Sequence, residues 1–562
     1  MADLTRSANL GGAAGRSTGK TSRQVVAEVA ALTLSAALFA LSFPNPLSTW
    51  GWYPLAFVAL APLFWVIGKA PWSRVVLYGI LYGFGSYALF NYWLATFHAL
   101  ALLFVPTIHL LYMGVLFPAL KLVTDRFPRH APLWQAVLWV AYEYLKTQGF
   151  LGYSYGVIGY TQYLFGPLVR SAAFAGVWGV SLLVVLANSC VAYLVEELRP
   201  RGDLWRRFGR LLRARPLVPA VCTLLFAGAV VYGAALPADY GDSPLWRVAL
   251  VQQNIDPWRG GYLAYERSLH VLLRQSRRAL AEDPDVVIWS ETSFVPGIDW
   301  HSRYRGRDRP GERVQAESIR KYELVRQLRA FLDEQTVPFV VGNDDGQRVI
   351  SPETGDPVRI DYNAALLYEG GQIVQTYRKL HLVPFTEHYP DWGPRFLRDL
   401  LEDFDTHFWE QGDEWTVFDA GGVRFSTPIC FEDTFGYLNR EFVNRGAQVI
   451  VNMTNDTWSG SVPAEMQHFA MAVFRATENR RSVVRAANSG ITAIVEPSGR
   501  ITATLEPFVE ATLIGEVPVF DAATTPYSRA GDWLGVALTA AALLLIAGAL
   551  GGAVLRRWRD AR

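Results

Sequence analysis

The sequence predicts a polytopic α-helical membrane domain of about eight spans that carries a layered α/β domain outside the cytoplasm. Three observations predict it. Apolar runs crowd residues 25 to 236, a polar stretch follows from 240 to 530, and a last apolar run covers Trp533 to Leu555. Lys and Arg gather in alternate loops between those runs. Within the polar stretch, short β-branched runs alternate with amphipathic segments. The overall 51% hydrophobic content is therefore an average of two unlike parts. The net charge of +1 likewise averages a basic inner face with a more acidic outer domain, and nothing in it points to nucleic acid.

A hydrocarbon core about 30 Å thick takes roughly 20 apolar residues of helix. The spans expected on that basis are Val25–Phe43, Trp52–Ile67, Val75–Phe97, Ala99–Val123, Leu133–Leu145, Ser171–Val195, Leu217–Leu236 and Trp533–Leu555. Val25–Phe43 is too long for the apolar core of a cleaved signal peptide, so the tail 1–24 is read as cytoplasmic. Lys69 and Arg74 follow the second span, and Lys121, Arg126 and Arg129 close the fourth. Arginines from Arg199 to Arg215 fill the loop after the sixth, and Arg556, Arg557 and Arg559 follow the eighth. Pro44–Gly51 and the link around His98 carry no Lys or Arg. Positive loops stay in the cytoplasm. Both termini then lie inside, with a bundle over 25–236, an outer domain over 237–532, a last helix over 533–555 and a cytoplasmic tail over 556–562.

Glu143 sits in or at the edge of the fifth apolar run. A carboxyl at bilayer depth faces a bundle interior or a cavity, whereas one at a helix end meets the interface. Gly149–Gly156, rich in Gly and Tyr, suits an interfacial loop on the outer side.

In the outer domain, strands are expected at Trp246–Val251, Asp285–Trp289, Val337–Gly342, Ala364–Tyr368, Val423–Ile429, Ala447–Asn452, Ser482–Ala487 and Ile491–Val495. Helices are expected at Tyr265–Glu282, Glu312–Glu334 and Ala464–Arg480. Three β-rich runs end on a reactive side chain: Glu291 after Val286–Trp289, Lys379 after Gln375–Arg378, and Cys430 after Phe425–Ile429. Cys430 is the one cysteine of the outer domain, since Cys190 and Cys222 fall in apolar runs. It has no partner there for an internal disulfide, which leaves a buried structural thiol or a nucleophile. A carboxylate near it serves as a base to generate thiolate, and an ammonium serves to face an oxyanion. His381, His388 and His468 show no ligand-like spacing, so no metal is expected.

Glu291, Lys379 and Cys430 in these contexts resemble the Glu-Lys-Cys triad of the nitrilase, or carbon–nitrogen hydrolase, superfamily. With the membrane spans around it, the chain resembles that superfamily's apolipoprotein N-acyltransferase family, over residues 25 to 555. The motifs that carry the likeness are Val248–Ile255, Trp289–Thr292, Lys379–Glu387, Pro428–Glu432, Asn452–Trp458, Gln467–Ala472 and Arg485–Gly490. The resemblance implies an αββα sandwich on the outer face of a bacterial inner membrane. It implies Glu291 as general base, Lys379 as oxyanion stabiliser and Cys430 as acylated nucleophile. Glu387 and Glu432 match supporting glutamates, and Trp258 matches a tryptophan near the substrate entrance. Phe431 stands where the family often has Tyr, and Phe385-Thr-Glu-His388 replaces the usual Phe-Gly-Glu-Tyr.

The implied reaction is ping-pong. An acyl chain passes from a phospholipid to Cys430 and then to the α-amine of a diacylglyceryl apolipoprotein, without a cofactor and in a single chain. Both partners are held in the bilayer by long apolar chains, which explains a membrane-bound catalyst. The triad alone equally serves a tethered amidase that gives its acyl group to water. A transporter or receptor with a non-catalytic outer domain draws support only from Glu143.

Overall fold

The computed structural model describes residues 11–97, 99–198, 217–257, 259–307, 313–351, 354–390, 392–394, 396, 398, 408–521 and 523–560. The chain divides into two compact units. One is Met1–Leu145 with Ser181–Ala227 and Gly535–Arg562; the other is Lys146–Val180 with Gly228–Leu534.

The first unit is helical. Among the described residues, five helices of the chain are long and apolar enough to cross a membrane: Ser22–Ser42, Ala101–Arg126, Ala172–Glu196, Leu217–Ala235 and Trp533–Gly552. The chain is a multi-pass membrane protein. The other three expected spans also form helix, in shorter or more polar pieces. Trp52–Ile67 is interrupted at Leu60, ahead of Pro62, which supplies no N–H to an unbroken helix. Asn188 Oδ1 accepts the N–H groups freed there, from Leu60 at 2.7 Å and Ala61 at 3.1 Å. Val75–Phe97 breaks after Trp72–Phe90 and resumes only as Leu94–Phe97. Leu133–Leu145 lies in the helix Ala131–Leu145. Gly79 and Gly83 bring Trp72–Phe90 against Ala99–Arg126. A Cβ at either glycine would stand 2.4 Å from the carbonyl oxygen of Met113 or His109, so only a residue without a side chain allows this approach.

Among the described residues, the second unit holds two six-stranded sheets. Its strands begin with β1 (Leu245–Gln252), β2 (Val286–Trp289), β3 (Phe339–Ile350), β4 (Pro357–Glu369) and β5 (Gln372–Arg378). They continue with β6 (Phe418–Ala420), β7 (Val423–Ser426), β8 (Val449–Thr454), β9 (Ser482–Ala487), β10 (Ala493–Val495), β11 (Ile501–Thr504) and β12 (Ala511–Pro518). The orders are β12-β1-β2-β3-β4-β5 and β11-β10-β9-β8-β7-β6. The sheets meet through β1, β2 and β12 on one side and β9 and β10 on the other. The helices Gly261–Leu280 and Ala316–Asp333 close the far face of the first sheet, where Leu269, Leu272, Leu328 and Phe331 pack on Val287, Trp289 and Val341. Val462–Asn479 packs against β9 in the second sheet. The result is the helix–sheet–sheet–helix sandwich that the resemblance implied.

The strands β1, β2, β8 and β9 lie within one or two residues of their expected places because apolar residues dominate their mostly buried runs. β3 and β4 run longer than expected, as a hairpin whose charged extension pairs Arg359 with Asp344 at 2.8 Å and Asp361 at 2.6 Å. β7 ends at Ser426 and not at Ile429, because Pro428 offers no N–H to a ladder.

Residues 146–180 belong to this unit although they precede its strands by a long stretch of chain. Arg475 Nη2 donates to Tyr160 Oη at 3.1 Å, and the Val177 N–H donates to Glu478 Oε1 at 3.0 Å. Trp178 Nε1 donates to Asp532 Oδ1 at 2.7 Å.

Candidate active site

The three reactive residues reach one pocket from three strand ends. Glu291 lies two residues past β2, in a turn whose next residue, Thr292, has φ +41°. That left-handed conformation is unfavourable for a β-branched residue by about 1–2 kcal/mol. The turn fits because β3 carries Gly342 beside it; a Cβ there would stand 2.1 Å from the Ser290 carbonyl oxygen. Lys379 directly follows β5, and its N–H is fixed by the Asn363 carbonyl oxygen at 2.9 Å. Cys430 opens a short 3-10 turn, Cys430–Thr434, with φ +50°. At a non-glycine residue that conformation costs about 1–3 kcal/mol and persists only where the surrounding structure fixes it.

Lys379 is fully buried and Glu291 is 5% exposed, while Cys430 keeps partial exposure. Lys379 Nζ donates to Glu387 Oε1 at 2.7 Å and lies 3.4 Å from Glu291 Oε1. Asn363 Nδ2 donates to the same Glu291 oxygen at 2.7 Å, and the Asn455 N–H donates to Glu291 Oε2 at 2.8 Å. Glu387 is presented by a tight turn in which its own N–H bonds to the Val383 carbonyl oxygen, and Glu387 Oε2 accepts the Val383 N–H at 2.8 Å. One ammonium thus sits between two carboxylates, each held by further donors.

The electrostatics follow from burial. Burial raises the Glu291 carboxyl above its ordinary pKa, and Glu387 adds to this against the opposing charge of Lys379. Burial pulls the Lys379 ammonium down, but Glu387, Glu291 and Cys430 more than reverse it, so it stays charged. Burial pushes the Cys430 thiol well up, Glu291 pushes it further, and Lys379 opposes both. The resting pocket therefore holds a thiol beside a carboxyl of raised basicity and a permanent cation.

Glu432 does not face this pocket with a free carboxylate. Its Oε1 accepts the N–H groups of Leu380 at 2.7 Å and His381 at 2.9 Å, its Oε2 accepts the Ile429 N–H at 2.7 Å, and Tyr377 Oη donates to it at 2.8 Å. It staples the segment after Lys379 to the segment before Cys430. Burial raises it to about 7 against these donors. Phe431 is buried in an aromatic group, 4.9 Å from the Phe435 ring and 5.9 Å from that of His381. Glu143 lies in the other unit, fully buried, and accepts Trp139 Nε1 at 3.1 Å. Trp258 falls outside the described residues.

Asn363, Tyr377 and the Asn455 N–H were not singled out as site groups. Asn363 had a signal, being a lone amide that opens the apolar core of β4; the backbone N–H had none.

A carbon-nitrogen hydrolase family model matches residues 247–527, and an apolipoprotein N-acyltransferase N-terminal domain model matches residues 35–190. The chain is 41% identical over 526 residues to Apolipoprotein N-acyltransferase 1 of Treponema denticola, covering 91% of this chain and 94% of that one. The chain belongs to the apolipoprotein N-acyltransferase family. A second relative in that family, Apolipoprotein N-acyltransferase 1 of Treponema pallidum, is 41% identical over 544 residues, 94% of this chain and 96% of its own. The Apolipoprotein N-acyltransferase of Geobacter metallireducens is 31% identical over 534 residues, 92% and 94% of the two chains. Membership of the apolipoprotein N-acyltransferase family thus spans both the bundle and the sandwich.

Proposed function

We propose that this chain is an apolipoprotein N-acyltransferase that works through a thioester on Cys430. The observation that carries the residue assignment is the buried Lys379 ammonium set between Glu387 and Glu291, in a pocket whose charges act on the Cys430 thiol. In the first half-reaction Cys430 Sγ attacks an ester carbonyl of a phospholipid as its proton passes to Glu291. Lys379 faces the oxyanion that forms. The intermediate collapses to a thioester, and the departing lysophospholipid oxygen takes the proton from Glu291. In the second half the α-amine of a diacylglyceryl-cysteine attacks the thioester, its proton passes to Glu291, and the sulfur leaves and regains that proton. An amide is formed and the enzyme is restored.

Glu387 keeps Lys379 charged and pointed, and Glu432 fixes the two backbone segments that carry Lys379 and Cys430. Phe385, His388 and Trp392 meet the Phe150 ring at 5.3, 6.0 and 6.0 Å, which supports a lid of two loops at headgroup depth through which acyl chains pass. Eight crossings with both termini in the cytoplasm put the sandwich, 237–532, on the periplasmic side of the inner membrane, and one chain suffices.

Incubation of purified protein with phospholipid tests the reading. The expected result is a hydroxylamine-sensitive acyl mass on the peptide that contains Cys430, discharged by an apolipoprotein acceptor. Cys430→Ser is expected to fold, insert and carry no acyl group. Normal turnover by that variant removes Cys430 from the mechanism.

A further inference from the structure

Next to the turn that Cys430 opens, four charged side chains close a buried ring. Arg485, on β9 and fully buried, donates through Nη1 to Asp433 Oδ2 at 2.5 Å and through Nη2 to Asp456 Oδ2 at 2.8 Å. His468, from the helix Val462–Asn479, joins the same two carboxylates, Nε2 to Asp433 Oδ1 at 2.8 Å and Nδ1 to Asp456 Oδ1 at 3.1 Å. A neutral ring of this kind could serve the fold alone. Two of its bonds run to the nucleophile's own turn. Asp433 is the fourth residue of the 3-10 turn that Cys430 opens. Arg485 Nη1 also donates to Asn452 Oδ1 at 2.6 Å, and Asn452 Nδ2 donates on to the carbonyl oxygens of Pro428 at 3.1 Å and Cys430 at 3.3 Å. One guanidinium therefore grips the bend both directly, through Asp433, and across the Asn452 amide.

We infer that Arg485 and Asn452 are positioning residues that hold Cys430 in its left-handed conformation and so aim the sulfur at the substrate carbonyl. A residue at φ +50° relaxes toward ordinary backbone unless its flanking peptides are tied, and a small misplacement of a nucleophile is costly in rate. The planar fork matters as well as the charge, because a lysine in place of Arg485 offers one nitrogen where Nη1 meets Asp433 and Asn452 and Nη2 meets Asp456. The inference rests on the reading of Cys430 as nucleophile.

The test uses the full-length protein in detergent with Arg485→Lys, which keeps the charge, and Asn452→Asp, which keeps the shape and the acceptor for Arg485 but removes the donor to the Cys430 carbonyl. Three quantities are measured: the thermal midpoint, the rate of Cys430 alkylation by iodoacetamide across pH, and the rate of acyl-enzyme build-up against phospholipid concentration. The expected result, per folded molecule, is a maximal acylation rate lowered at least tenfold in both variants, with the half-saturating phospholipid concentration unchanged. Rates within twofold of the parent protein in Arg485→Lys show that charge alone suffices and overturn the inference. So does a loss that follows only the folded fraction, or one confined to half-saturation. Alkylation needs no phospholipid. A parent protein whose Cys430 alkylates readily but never gains an acyl group therefore refutes the proposed function itself, separately from the positioning role.

Discussion

A thiol enclosed with two carboxylates and a single ammonium has its proton traffic set by burial. Because burial pushes Glu291 upward, it is a stronger base toward the proton on sulfur than an ordinary carboxylate, while Lys379 opposes the upward push on the thiol. Glu291→Gln keeps the hydrogen-bonding shape and loses the base; Lys379→Ala loses the charge opposite the oxyanion. Each is expected to slow acyl-enzyme formation by roughly 10²–10³-fold or more. The pH dependence has a definite sign. Attack needs ionised Glu291, whose pKa is raised above its ordinary 4.5, so the acylation rate should fall as pH drops through a midpoint higher than that value. The residual rate of Glu291→Gln should lack this acid limb. Single-turnover acylation followed by mass, at stepped pH, measures both. Full thioester accumulation in either variant contradicts its role.

The loop from Pro384 to Trp392 turns through an isolated bridge between Pro384 and His388, with Phe385 at φ +64°. Trp392 is 74% exposed and Phe385 is partly exposed, so these rings are not core. Alanine at Phe385 and Trp392 is accordingly expected to slow acylation by long-chain phospholipid several-fold while the thermal midpoint moves little. A large drop in midpoint with unchanged activity per folded molecule places lipid access elsewhere. The sequence pointed to this loop through its aromatics, and to Glu291, Lys379 and Cys430, which the fold brings together, because each follows a β-rich run. It showed less of the sheets. β6, β11 and β12 were not picked out as strands: β6 is only three residues long, and β11 and β12 are half-exposed and interleave Thr and Glu with their apolar residues. The clamp on Cys430 was legible only as motifs without roles. Asn452, His468 and Arg485 come from three separate elements, and nothing local in a chain reveals that a fold will close them into one ring.

At the scale of the molecule, the proposed orientation rests on the arginines of Arg199–Arg215, whose loop lies outside the described residues. Reporter tags at both termini and in that loop are expected to read as cytoplasmic, and a tag near Asp242 as external. A cytoplasmic signal near Asp242 would put Cys430 on the wrong side of the membrane for the proposed reaction. The bounds of the crossings were only partly legible, because the helix breaks ahead of Pro62 and ends at Asn91 where hydropathy alone reads it as continuous.

That Lys146–Val180 belongs with the sandwich bears on how the protein is made and how it can be taken apart. The ribosome delivers this piece first, and it must wait for Arg475, Glu478 and Asp532 to be synthesised before Tyr160, Val177 and Trp178 find their bonds. A fragment cut at the Pro237 linker, the natural place by composition, carries β1 to β12 with Glu291, Lys379 and Cys430 yet leaves Glu478 without its backbone donor and Phe385 without the Phe150 ring. Such a fragment is a receptor missing its insert. Chains severed at that linker and supplied as two polypeptides retain all the matching surfaces, so this enzyme lends itself to complementation between halves rather than to excision of a soluble catalytic piece.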